Sequence, residues 1–135
     1  EVRGFSNTSL QYKAMDDKTI EPARAAMLTK GPGGGTRMFE TAGLATTSLG
    51  GRAEKNRVFI SLTDGALDDH VQTAQQLAKA RQQGITTFGI FLGGGVDGGR
   101  MDELYGHGNW TTINDLKQMP IQVGSRIEKI LKAIR

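Results

Sequence analysis

Apolar and polar positions along this chain change period several times, and each change marks an element. Leu10 to Met15 alternates, with Leu10, Tyr12 and Ala14 set against Gln11, Lys13 and Met15, the period of a strand covered on one face. Glu1 to Ser6 forms a shorter strand whose apolar members are Val2 and Phe5, and Asn7-Thr8-Ser9 between the two predicts a hairpin turn. Asp16-Asp17 ends the second strand. Glu21 to Leu28 predicts a short helix with Pro22 in its first turn, and Gly31-Pro32-Gly33-Gly34-Gly35 breaks it.

From Thr36 the period becomes helical. Met38, Ala42, Ala45 and Leu49 fall on one face, and Gly50-Gly51 closes the helix. Val58 to Leu62 is a nearly continuous apolar run, which predicts a strand buried on both faces. Asp68-Asp69 caps a helix running to about Gln83, with Val71, Ala74, Leu77 and Ala78 as its expected buried stripe and Gly84 as its stop. Ile85 to Leu92 reads as the next strand, Met101 to Tyr105 as a short segment and Trp110 to Ile113 as a final strand. Asn114-Asp115 caps a turn of helix ending near Pro120, and a last helix from about Val123 carries Ile127, Ile130, Leu131 and Ile134 on one face. Trp110 and Phe39 are read as core.

Strands alternating with helices predict right-handed crossovers and an α/β sandwich: a mostly parallel sheet, one antiparallel edge strand, and helices on both faces. With no repeat and no linker, residues 1–135 read as a single domain. Ligands of such sheets sit beyond the carboxyl ends of the strands. The loops after Ser6, Leu62, Leu92 and Ile113, and the loop before Thr36, are therefore the places to look for a site.

Composition narrows the function classes. The chain has no cysteine, which excludes disulfides and thiolate metal sites and makes a cytoplasmic home the expectation. No apolar stretch approaches the roughly 20 residues of a membrane span, so no membrane partner is expected. The opening Glu1-Val2-Arg3-Gly4 does not read as a signal peptide. The net charge is +3, with basic residues scattered except for Arg126, Lys129, Lys132 and Arg135. Those four follow helical spacing and read as a solvated face, so no nucleic-acid partner is expected.

Two local signals point to a hard-cation site. Asp64-Gly65 follows the buried strand and would carry a carboxylate to the crevice above the sheet. Gly33-Gly34-Gly35-Thr36 places a hydroxyl at the start of a helix. A hydroxyl and a carboxylate from two loops make half a site for a cation such as Mg²⁺. Taken singly, Thr36 is an N-cap and Asp64 a turn residue. Asp68 and Asp69 serve a helix N-terminus in the simplest reading. They join Asp64 in a cluster that a metal-dependent hydrolase would need in the alternative one. His70 and His107 have no Ser or Cys nucleophile beside them in any visible pattern. Lys30 precedes its glycines, which is the wrong order for a phosphate loop.

The stretches Gly33 to Met38 and Arg57 to Gly65 together resemble a von Willebrand factor A (vWA) domain. Gly4-Phe5-Ser6-Asn7 resembles the second strand of that family, and Leu10 to Met15 its antiparallel edge strand. Residues 64–69 and 104–116 look most like the bacterial branch found in the cobalt-chelatase subunit and the nitric oxide reductase activation protein. The resemblance implies a Rossmann-like fold and a metal-ion-dependent adhesion site. In it Thr36 and Asp64 hold Mg²⁺ or Mn²⁺, Gly35, Gly65 and Asp68 flank the partner surface, and an acidic residue of a protein partner completes the coordination. The branch further implies a MoxR-type AAA+ ATPase as partner, in a non-catalytic role. The family's Asp-x-Ser-x-Ser loop occurs nowhere in this chain; Gly4-x-Ser6-x-Thr8 has Gly in the Asp position. The expectation is therefore a vWA-like domain lacking its first strand and helix, with an incomplete metal site or a scaffold whose site is inactive.

Overall fold

The computed structural model describes residues 1–6, 9–29, 36–63 and 67–134. The hairpin forms as the alternation predicts: β1 (Val2–Phe5) pairs antiparallel with β2 (Ser9–Lys13). Of the expected turn, Asn7 and Thr8 lie outside the described residues, and Ser9 already belongs to the strand. Next comes α1 (Glu21–Thr29), which packs on β2 through the buried Ala23.

The helix expected from Thr36 begins three residues later, as α2 (Phe39–Gly50). Its apolar face is the predicted one, with Met38 and Ala42 buried and Ala45 and Leu49 packed against the core. Phe39, expected in the core, is 46% exposed, because it points away from that face at the first helical position.

The parallel sheet has the order β3-β4-β5, from β3 (Arg57–Thr63), β4 (Ile85–Leu92) and β5 (Trp110–Ile113). Two crossovers build it. One runs through α3 (His70–Gln82) and the other through α4 (Gly98–Tyr105). Gly84 adopts φ +81° between α3 and β4, a conformation that favours glycine. After β5, a 3₁₀ turn at Leu116–Gln118 leads into α5 (Met119–Ala133), which starts four residues before Val123 with Pro120 in its first turn.

The two faces of this sheet are unequal. Phe59 and Ser61 of β3, with Ile85 and Thr87 of β4, are buried beneath α2, α3 and α4. On the opposite face Val58 and Ile60 are half-buried and Leu62 is 43% exposed, so the expectation of a strand buried on both sides fails there. The cause is thin cover. α5 reaches β5 and buries only Ile130 among its described side chains, leaving Leu131 exposed. The stripe of α3 also differs from expectation: Thr73, Leu77 and Ala80 are buried while Val71 is 64% exposed.

Tyr105 is the keystone of the covered face. Its hydroxyl lies 2.5 Å from Ser61 Oγ, and its ring lies so close to Gly89 that a Cβ there would overlap it. Burial raises the Tyr105 pKa above its ordinary value, against the opposing effect of the Ser61 hydrogen bond. Thr87 Oγ1 donates to Tyr105 O, and Arg81 donates to both Thr87 Oγ1 and Leu104 O, so α3, α4 and β4 share one polar network. These elements form a Rossmann-like, vWA-type sandwich, with the hairpin as a separate two-stranded sheet beside the parallel one.

Candidate functional site

The carboxyl ends of β1 and β3 converge on the short segment between the glycine-rich loop and α2. Four consecutive main-chain amides of that segment are bound from outside it. Thr36 N donates to Asp68 Oδ2 at 2.8 Å, and Arg37 N to Ser6 O at 2.8 Å. Met38 N donates to Asp69 Oδ1 at 3.0 Å, and Phe39 N to Asp69 Oδ2 at 2.8 Å. Asp68 N returns a bond to Thr36 O at 2.8 Å, making the Thr36–Asp68 contact reciprocal. The segment is thus fixed by the end of β1 on one side and by the turn after β3 on the other.

Asp69 has a role the local pattern does not suggest. It sits at the N-cap of α3 without capping that helix through its side chain. Its buried carboxylate instead accepts the first free amides of α2, where the helix dipole favours negative charge. Thr73 Oγ1 adds a third bond to the same carboxylate at 3.3 Å. Thr36 is correspondingly no N-cap: Met38 occupies that position, and Asp69 does the capping from across the site.

Of the residues expected in the site, the structure brings Thr36 and Asp68 together. Asp64, Gly35 and Gly65 lie outside the described residues. Both main-chain groups of Thr36 are engaged with Asp68, so its hydroxyl is the group left for a ligand. Hydroxyl and carboxylate oxygens are hard donors and suit a hard cation in kind. In number they fall short: among the described residues no three His, Asp or Glu side chains gather as a metal site.

The histidines are engaged elsewhere. His70 Nε2 lies 2.8 Å from Glu103 Oε2, joining α3 to α4, and its side chain is only 11% exposed. His107 lies 3.0 Å from Asp102 and is almost fully exposed. Asp102 also accepts from Trp110 Nε1 at 2.8 Å and from Gly108 N at 3.2 Å. The Trp110 bond, then the Gly108 and His107 bonds, hold the Asp102 pKa below the ordinary carboxylate range.

No protein-family model and no curated protein matches the chain. Among solved structures, the fold matches proximal thread matrix protein 1 from the mussel byssus, with a TM-score of 0.72 and 19% identity over 88% of this chain. A second structure of that protein, described as having a zinc-occupied MIDAS motif, matches with a TM-score of 0.70 and 19% identity over the same share. The chain spans about a third of the length of these structures, 33% in each case. At that identity the likeness carries the fold: this chain has the vWA-type sandwich of a matrix protein that bears a metal-ion-dependent adhesion motif.

Two expectations are corrected by this comparison. A cytoplasmic home was inferred from the absence of cysteine, and the matching protein belongs to the byssus, an extracellular material. A cysteine-free composition is equally compatible with that setting, so it does not discriminate. The MoxR-type AAA+ partner falls with it, because such a partner conflicts with the extracellular setting of the matching protein.

Proposed function

We propose that this chain is a protein-interaction module, not an enzyme, and that its recognition face is the end of the sheet where the Thr36 segment meets the turn after β3. The observation that carries this reading is the clamp of four consecutive amides, Thr36 to Phe39, by Ser6, Asp68 and Asp69. Such a clamp fixes the main chain that carries Thr36 at the carboxyl ends of two strands, where ligands of α/β sheets bind. It also counts against the hydrolase alternative. Asp68 and Asp69 both hold main-chain amides, so they are structural acceptors rather than free acid–base groups.

In this reading Mg²⁺ or Mn²⁺ is held by Thr36 and Asp64, flanked by Gly35, Gly65 and Asp68. When bound, the cation offers an open position to an acidic residue of a protein partner. Asp68 holds the main chain of Thr36, while Asp69 fixes the start of α2 behind it. The resemblance to the cobalt-chelatase and nitric oxide reductase activation branch rests on residues 64–69 and 104–116 and belongs to this proposal. So does the reading of residues 1–135 as one vWA-like domain. A scaffold with an inactive site is the second reading, favoured by the incomplete donor set among the described residues.

Calorimetric titration of Mg²⁺, Mn²⁺ and Zn²⁺ into the chain separates the two. The interaction reading expects saturable binding that Asp64→Ala and Thr36→Val each abolish while the melting temperature stays near that of the parent. Absence of binding, or binding indifferent to both substitutions, leaves the scaffold reading.

A further inference from the structure

The cation site leaves two exposed side chains of the clamped segment unused. Arg37 and Phe39 stand on either side of the buried Met38, and both face water, Phe39 at 46% exposure. Their main chain is held: Arg37 N is bound to Ser6 O and Phe39 N to Asp69 Oδ2, each at 2.8 Å. The Arg37 guanidinium enters no ion pair among the described residues. Glu40, exposed one turn further on, does not pair with it, and Oδ2 of Asp68 is taken by the Thr36 amide. Phe39 opens α2 and lies outside the core. Val71, also exposed, stands in the first turn of α3, two residues past the Asp69 that holds Phe39. This end of the helix layer therefore shows an unpaired cation beside apolar groups. A single exposed apolar residue is ordinary on any surface. What sets this pair apart is the fixed backbone beneath it. Groups on a held main chain lose less freedom on binding, and Arg and aromatic side chains are the types that anchor interfaces.

We infer that Arg37 and Phe39 form a metal-independent anchor on the recognition face, which takes an acidic segment of a partner protein whose carboxylate stands next to a bulky apolar side chain. This rests on the proposed placing of that face at the Thr36 end, but on no ion there. Charge complementarity chooses the occupant. A planar guanidinium binds a carboxylate through two parallel hydrogen bonds, which a lysine ammonium does not reproduce. The Phe39 ring supplies apolar surface within the same short segment, so carboxylate and apolar group must be neighbours in the partner. A basic segment is repelled by Arg37, and a purely apolar one buries that guanidinium without a partner. The carboxylate at Arg37 is distinct from the residue that would complete a cation's coordination, so the partner carries two acidic positions.

The probe is a fluorescein-labelled, end-capped peptide of about eight residues with Leu-Glu-Asp-Leu at its centre, compared with the same peptide carrying Gln and Asn in place of the acids. Fluorescence anisotropy with the full chain in EDTA should show saturable binding, at least about tenfold weaker for the amide peptide. Arg37→Gln and Phe39→Ala should each weaken it by at least about tenfold while the melting temperature stays near the parent's, and Arg37→Lys should weaken it less than Arg37→Gln. If Phe39→Ala lowers the melting temperature, Arg37→Glu, a charge reversal at an exposed position, carries the test without it. Asp64→Ala separates the anchor from the cation site: peptide binding in EDTA should survive it, whatever becomes of metal binding. Peptide binding that needs metal and Asp64, and that Arg37→Gln leaves unchanged, overturns the anchor and leaves the cation site standing. Equal binding of the two peptides, or no binding to folded chain, overturns it as well. A concentration-dependent dimer in sedimentation that Arg37→Glu dissociates also overturns it, since a second copy would then be the occupant.

Discussion

Thr36 and Asp68 hold each other by two hydrogen bonds, Thr36 N to the carboxylate Oδ2 of Asp68 and Asp68 N to Thr36 O, each 2.8 Å long. The pair joins the start of the α2 segment to the turn after β3, across 32 residues of sequence. Asp68→Ala removes one of the two bonds at an exposed position and should cost about 0.5–1.5 kcal/mol. Asp68→Asn keeps an acceptor in place and should cost less. Urea denaturation of the three proteins measures the order, and an Asp68→Ala chain as stable as the parent would show the contact to be idle.

Asp69 is the more demanding position, because its carboxylate is buried and serves two amides at once. Asp69→Ala leaves the Met38 and Phe39 amides without their acceptor and should cost about 1–3 kcal/mol or more. Hydrogen exchange gives a sharper readout than global stability. The amides of Met38 and Phe39 should lose protection in Asp69→Ala, while those of β4 change only with global stability.

Ser61 and Tyr105 bury a shared hydrogen bond. Either Ser61→Ala or Tyr105→Phe strands the other hydroxyl, and each should cost about 1–2 kcal/mol, with the double variant well short of their sum. The raised Tyr105 pKa sets the pH dependence. The folded chain keeps the phenolic proton more tightly than the unfolded one, so this stability is fully present below about pH 10, the ordinary Tyr value, and is lost as pH rises through the folded value. Tyr105→Phe should flatten that alkaline limb in melting experiments.

Asp102 gives the opposite pH sign. Its folded pKa is depressed, so its contribution is present above about pH 3.9, the ordinary Asp value, and is lost as pH falls through the folded one. Trp110 is the sole tryptophan and donates its indole N–H to Asp102, so its fluorescence reports the event locally. An acid-side fluorescence transition should appear in the parent and be absent from Asp102→Asn, apart from global unfolding.

The chain's own pattern settles element type and order. Period-two alternation at Leu10 to Met15, the four-three-four spacing from Met38 to Leu49, and the apolar runs at Val58 and Ile85 are local consequences of strand and helix geometry, and each forms where expected. Thr36 and Asp64 were singled out on the same local pattern, and of the two only Thr36 lies among the described residues. Tertiary structure decided how the element ends are used. Asp69 looks like the cap of its own helix, yet it binds amides about thirty residues upstream, because chain reversal by β3 brings that turn against the start of α2. Val58 to Leu62 reads as doubly buried, yet Leu62 is exposed, because burial depends on what packs opposite and α5 covers that face only at its far side. The division of the sheet into a hairpin and a parallel trio is likewise invisible in any window of sequence, since strand pairing is a contact between segments that periodicity cannot rank.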